Sequence, residues 1–189
     1  MGSVVVSQFV TVDGVIEDPG GAEGFDRGGW AFRFDRGEDG NRFKLEEVMA
    51  ADALLLGRVT YEGFAAAWPS RKDEAGFADK FNSMPKYVVS RTLEKADWNN
   101  STVIGADLAK DVAELKERHD SDILVNGSAT LVDALAEQDL VDEYRLMIFP
   151  VVLGAGRRLF AGLGSDKSLR LADSKPAGAC TILVYEAER

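Results

Sequence analysis

From residue 53 to residue 125 the chain alternates short, wholly apolar runs with longer stretches of helical period, and that alternation restricts the fold more than any other feature. Ala53-Leu54-Leu55-Leu56-Gly57 and Asp122-Ile123-Leu124-Val125 are too short for helices and show no polar face, the pattern of strands covered on both sides. Lys86 to Ser90 predicts another strand and Thr102 to Gly105 a shorter one. Helices are predicted from Arg58 to near Trp68-Pro69, over 73–82, and from Asp107 to Arg118, where Leu108, Val112 and Leu115 share one face behind a capping Asp107. A further helix carries Leu131, Val132 and Leu135. Strands that alternate with helices in this way imply a mainly parallel sheet with helices on both faces, an α/β domain.

The flanking segments extend this reading. Val4 to Val10 is a β-branched strand that runs into the turn Thr11-Val12-Asp13-Gly14. Leu45, Val48 and Met49 predict a helix over 41–50. Residues 18–40 form a long glycine-rich loop that carries Trp30, Phe32 and Phe34, and loops of that length in a compact domain are usually functional or mobile. Glu143 to Val152 and 179–186 read as strands, the last of them an antiparallel edge. No repeat or linker divides the chain, so a single domain over 1–189 is expected.

Composition removes several classes of function. With 22 Lys+Arg against 32 Asp+Glu the net charge is −10, which disfavours general binding to nucleic acid or to an anionic membrane. No apolar run approaches the roughly 20 residues of a membrane span. Cys180 is the only cysteine and His119 the only histidine, so neither an intrachain disulfide nor a Cys/His zinc site is possible, and no metal is expected. Cys180 reads as a small core residue and His119 as a helix-terminal one. A cytoplasmic protein with a reduced thiol is expected.

Three turns lie directly beyond predicted strands, where ligands of open α/β sheets gather. Gly57-Arg58-Val59-Thr60 opens a helix, whose first N–H groups suit a phosphate, and Arg58 adds a fork-shaped cation. Ser90-Arg91-Thr92 sets an arginine between two hydroxyls. Asn126-Gly127-Ser128-Ala129-Thr130 is a small-residue cradle at another helix start. Singly each signal is weak; on successive strands they read as a dinucleotide site with an extra phosphate, as in NADP. The G-x-G-x-x-G of an ordinary Rossmann site is absent.

Four motifs in order then resemble a known family. Gly57-Arg58-Val59-Thr60-Tyr61-Glu62 resembles the G-R-x-T-aromatic-E signature of dihydrofolate reductase-like folds. Asp13-Gly14, Asn126-Gly127-Ser128-Ala129-Thr130-Leu131, and the stretch from Pro150 to Phe160 are similar to the D-G, G-G-S-x-x-L and P-x-x-L-G-x-G-x-x-L-F of the C-terminal reductase domain of the bifunctional riboflavin-biosynthesis deaminase/reductase. The likeness runs from about Val4 to Tyr185 and implies a stand-alone reductase domain without the deaminase.

That resemblance implies hydride transfer from NADPH to a pyrimidine- or pteridine-like heterocycle, with 5-amino-6-(5-phosphoribosylamino)uracil the model substrate. It implies that Gly57, Arg58, Val59 and Thr60 hold phosphates. Ser90, Arg91 and Thr92 hold the adenosine end, Arg91 on the 2′-phosphate. Asn126, Gly127, Ser128, Ala129 and Thr130 hold the pyrophosphate, and Val12, Asp13 and Gly14 lie beside the nicotinamide. A cis peptide bond is expected between Asn126 and Gly127, where relatives carry two glycines. Asp13 is a candidate for orienting or protonating the substrate, with a plain turn role the equal alternative. Asp39 is the best counterpart of the carboxylate on the first helix of dihydrofolate reductases, with helix capping as its alternative. Trp30, Phe34, Trp68 and Phe160 are candidates for walling a flat substrate, against the default of core packing, and Leu153 and Gly154 join them from the fourth motif. The resemblance also implies a homodimer. Two other readings stay open: a reductase for a different small molecule, dihydrofolate included, and a non-catalytic NADPH-binding sensor.

Overall fold

The computed structural model describes residues 1–188. In chain order the elements are β1 (Ser3–Thr11), a 3-10 turn (Trp30–Arg33), α1 (Gly37–Ala50), β2 (Ala53–Gly57), α2 (Arg58–Ala67), α3 (Phe77–Ser83), β3 (Lys86–Val89), β4 (Ser101–Ile104), α4 (Leu108–Arg118), β5 (Asp122–Val125), α5 (Ala129–Glu137), β6 (Glu143–Phe149), β7 (Leu169–Ala177) and β8 (Cys180–Ala187). One eight-stranded sheet has the order β4-β3-β2-β5-β1-β6-β8-β7. The six strands from β4 to β6 are parallel; β8 runs antiparallel to β6, and β7 antiparallel to β8.

The period of two along β1 divides the core. Val4, Val6 and Val10 pack with Val112 and Leu115 of α4 and Leu131, Val132 and Leu135 of α5. Val5 faces the other way, onto Val48 of α1, Tyr61 of α2 and Phe81 of α3. A third apolar cluster lies beneath the glycine-rich segment, where Trp30, Phe149, Leu153, Cys180 and Ile182 meet. The expected α/β architecture, with helices on both faces and an antiparallel C-terminal edge, is the architecture found.

Several boundaries differ from the sequence expectation. Strand β7 is not predicted, because seven of its nine residues are exposed and it ends in Lys175-Pro176-Ala177; an edge strand with little to bury has no apolar period. Helix α1 begins at Gly37 rather than at 41, and α3 at Phe77 rather than at 73. The residues before α3 are held back as a cap, the Asp73 carboxylate accepting the N–H groups of Phe77 and Ala78 at 2.9 and 2.7 Å. Strand β6 stops at Phe149, short of Val152.

The glycine-rich segment is tightly folded. The buried Asp18 carboxylate accepts the N–H groups of Ala22, Glu23 and Phe25 at 2.7, 3.1 and 3.2 Å. Trp30 is 0% exposed and donates its indole N–H to Glu17 O at 2.9 Å. At the far end of the segment, the β7–β8 turn abuts the start of α1. Ala179 N donates to Asp35 O at 2.7 Å, and a Cβ on Gly178 would stand 2.5 Å from that same oxygen.

Candidate functional site

The carboxyl ends of β2 and β5, neighbours in the sheet, each lead straight into a helix. Gly57 N–H donates to Gly127 O at 3.1 Å, which ties the two turns together. Their packing leaves no room for side chains. A Cβ on Gly57 would lie 2.2 Å from Ser128 Oγ and 3.0 Å from Ser128 N, and one on Gly127 would lie 2.8 Å from Thr60 Oγ1. Gly127 also has φ +119°, a conformation that needs glycine.

The turns open onto a cleft of about 300 Å³ lined by Gly57, Arg58, Val59, Val89, Ser90, Ser128 and Thr130, with Leu108, Leu131 and Ala134 as its apolar floor. Neither α2 nor α5 has a side-chain cap, so the first N–H groups of both helices remain available. Two helix N-termini and one guanidinium at a single cleft make a site for a doubly charged anion. Arg58 presently meets Glu62, its Nη1 lying 2.9 and 3.0 Å from the two carboxylate oxygens across one exposed helical turn. Ser128 Oγ and Thr130 Oγ1 are 2.9 Å apart.

Seven residues expected to bind cofactor therefore converge here: Gly57, Arg58, Val59, Ser90, Gly127, Ser128 and Thr130. Thr60 packs behind Gly127, and Ala129 opens α5. Arg91 and Thr92 follow Ser90 on the exposed turn, whose shape is set by Ser90 Oγ accepting Thr92 N–H at 3.2 Å and Leu93 N–H at 3.0 Å. The cis bond lies between Gly127 and Ser128, one residue later than expected. The positive φ falls on Gly127, whose carbonyl is turned onto Gly57 N–H, and Asn126 stays on the strand side of the turn. Leu108, Leu131 and Ala134 are missed by the sequence reading, since on a helical apolar stripe they are indistinguishable from core.

The expected catalytic carboxylates lie elsewhere. Asp13 accepts the Thr11 hydroxyl at 2.7 Å and the N–H groups of Leu153 and Gly154 at 3.1 and 2.8 Å, with Arg158 3.7 Å away. These hydrogen bonds, led by Thr11 and Gly154, bring its pKa down to about 2. A carboxylate so stabilised has no proton to give near neutrality. Asp13 braces the end of β1 against the loop after β6 through the backbone N–H groups of Leu153 and Gly154, the latter exposed. Val12 and Gly14 flank this brace, and Val12 is exposed. Asp39 is 61% exposed and pairs with Arg42 along the outside of α1, away from the sheet.

Asp13→Asn is expected to lower stability by about 1 kcal/mol near pH 7, a modest figure for hydrogen bonds to a partly exposed charge. Because the folded pKa is depressed, that contribution is complete above the unfolded carboxylate range. It fades as pH falls from about 4 toward 2, so urea unfolding curves of the two proteins should converge there.

The aromatic residues do not form one wall. Trp30 is core, edge-on to Phe149 at 5.3 Å. Trp68 packs on Phe81 at 4.5 Å among α2 and α3, and Phe160 packs on Tyr144 at 5.3 Å on the opposite face of the sheet. Phe34 is half-buried, 6.5 Å from Phe149. These large side chains take the core role because the sheet has two faces to cover.

Among the described residues no helix is long and apolar enough to cross a membrane, and no cluster of His, Cys, Asp or Glu is arranged to hold a metal ion.

Comparison with known proteins agrees with this fold. A family model for the RibD C-terminal domain matches residues 3–183. The uncharacterized protein YyaP of Bacillus subtilis is 29% identical over 186 residues, covering 96% of this chain and 93% of its own length. Among solved structures, a protein assigned to riboflavin biosynthesis from Shewanella sp. PV-4 superposes with a TM-score of 0.77 at 22% identity, over 99% of both chains. Dihydrofolate reductase from Enterococcus faecalis, complexed with NADP(H), superposes at 0.58 with 13% identity, over 99% of this chain and 97% of that one. The Thermotoga maritima deaminase/5-amino-6-(5-phosphoribosylamino)uracil reductase gives 0.65 at 16% identity, with 99% of this chain covering 57% of that protein. The fold is that of dihydrofolate reductase-like proteins.

Proposed function

The chain belongs to the RibD C-terminal domain family, and from that premise we propose that it is an NADPH-dependent reductase that delivers hydride to a pyrimidine- or pteridine-like heterocycle. The observation that carries the reading is the pair of uncapped helix N-termini, α2 and α5, opening with Arg58 onto one cleft. The interlocked Gly57 and Gly127 allow a pyrophosphate to approach backbone N–H groups that a Cβ would screen. Bound NADPH would supply the hydride, so the chain itself needs no nucleophile.

The residues then divide the work. The first turns of α2 and α5 hold the pyrophosphate, helped by Ser128, Ala129 and Thr130. Ser90, Arg91 and Thr92, at the end of β3, take the adenosine end, with Arg91 on the 2′-phosphate. Leu108 and Leu131 give the cleft a dry floor on which a base can rest. The model acceptor is 5-amino-6-(5-phosphoribosylamino)uracil, the substrate in the name of the Thermotoga neighbour. A homodimer in the cytoplasm completes the proposal.

Titration with NADPH is expected to quench tryptophan fluorescence, Trp68 being the half-buried reporter. Silence up to millimolar cofactor would remove the reading. Arg91→Ala is expected to weaken NADPH by about ten-fold or more and NADH by much less, as loss of a charge-assisted phosphate contact demands. Equal loss for both cofactors would leave Arg91 without a 2′-phosphate role.

A further inference from the structure

The motif that opens α2 ends in a residue with no part so far in the cleft or the core. In Gly57-Arg58-Val59-Thr60-Tyr61-Glu62 the first four residues build the cleft turn. Tyr61 is buried, and its hydroxyl accepts Trp98 N–H at 2.9 Å. Glu62 lies on the exposed side of the helix, behind the Arg58 guanidinium. Both of its carboxylate oxygens accept from one nitrogen, Arg58 Nη1, at 2.9 and 3.0 Å. Among the described residues Arg58 Nε and Nη2 have no acceptor, so the edge of the fork that they form is left for a ligand.

A carboxylate belongs there on electrostatic grounds. Arg58 is the first residue of α2, where the helix dipole is positive and a cation is disfavoured. The uncapped N-terminus of α5 faces the same cleft, and none of the residues lining that cleft is acidic. Without a counter-charge the guanidinium would swing away from two positive helix ends into solvent, and binding an anion would then have to order it again. Residues four apart share one side of a helix, and their side chains lean toward its N-terminus. Glu62 therefore comes up behind Arg58 from the following turn.

We propose that Glu62 is a positioning residue, which holds Arg58 by one nitrogen at the positive end of α2 so that the Nε–Nη2 edge meets a phosphate of the cofactor. The cofactor's identity rests on the reductase reading; the phosphate contact rests on the geometry of Arg58 and Glu62. Glu62 touches no ligand and acts only through Arg58. Because its two oxygens share Nη1, the ion pair and a two-point phosphate contact can exist together.

The test is a double-mutant cycle read with two ligands, NADPH by tryptophan quenching and inorganic pyrophosphate by calorimetry. Glu62→Gln is expected to weaken both by about three- to five-fold at low salt, in keeping with an exposed ion pair, and to leave the urea unfolding curve close to that of the wild type. Arg58→Ala is expected to weaken both by about ten-fold or more. Adding Glu62→Gln to Arg58→Ala is expected to cost nothing further, because the side chain through which Glu62 acts is gone. A merely structural Glu62 would instead weaken binding equally in both backgrounds, and that result overturns the proposal. Tighter binding by Glu62→Gln, the mark of a carboxylate that competes with the phosphate, overturns it as well. If pyrophosphate follows the expected pattern while NADPH gives no quenching, the role of Glu62 stands and the reductase reading falls. If NADPH binds and neither substitution alters it, the reductase reading stands and the proposal falls. Binding of neither ligand overturns both.

Discussion

Gly57→Ala is expected to abolish the proposed NADPH binding and to lower folding stability by about 1–3 kcal/mol, the usual cost of overfilling a packed site. The cause is steric. Gly57 has an ordinary φ of −73°, so its backbone tolerates any residue; the obstacle is the neighbour. The new methyl would stand 2.2 Å from Ser128 Oγ and 3.0 Å from both Ser128 Cβ and Ser128 N. Rotating the serine hydroxyl removes only the first of these contacts, so the α5 turn must move back. That movement breaks the hydrogen bond from Gly57 N–H to Gly127 O and separates the two helix N-termini that face the cleft. Urea unfolding measures the stability change, and fluorescence titration measures the cofactor. A variant with wild-type quenching would mean that the turns are not interlocked as described.

The second large effect belongs to Trp30→Ala, expected to cost about 3–5 kcal/mol, the range for removing a fully buried Trp. Trp30 has no exposed surface, meets Phe149 edge-on, and fixes the glycine-rich segment through its indole N–H to Glu17 O. Against a typical total of about 5–15 kcal/mol, a loss of that size leaves a marginal domain. The glycine-rich segment should also become the first site of limited proteolysis, because its remaining anchors are the Asp18 carboxylate and contacts such as that of Arg27 with Leu153 O. A fall of less than about 1 kcal/mol, with unchanged proteolysis, would show that Phe149 and its neighbours hold the segment without the indole.

Much of the parallel sheet is legible in the sequence, because each buried strand is a short apolar run bounded by a glycine, serine or asparagine turn. The same punctuation reveals the cleft: Gly57, Ser90 and Gly127 are each the point where a strand stops, and the sheet order brings those points to one rim. What escapes the sequence is whatever depends on a partner far along the chain. Asp13 reads as half of an Asp-Gly turn; its attachment to Leu153 and Gly154 requires β1 and β6 to lie side by side. Nothing local to Arg36 and Lys44 reveals that both stand over the Phe9 ring of β1. The aromatic residues mislead for the opposite reason: side chains suited to a flat ligand are equally suited to a core, and Trp30 and Phe160 went to the core on different faces. Strand β7 escapes because pairing with β8 through its backbone places no demand on its side chains.

The close approach of the β7–β8 turn to Asp35 has a mechanical meaning. With Ala179 N bonded to Asp35 O, the tip of the terminal hairpin is an abutment for the backbone that opens α1. A lengthened or bulkier tip is expected to displace the start of α1 without altering any residue at the rim of the parallel sheet. The terminal hairpin and the start of α1 therefore form one mechanical unit, separate from the interlocked turns at Gly57 and Gly127.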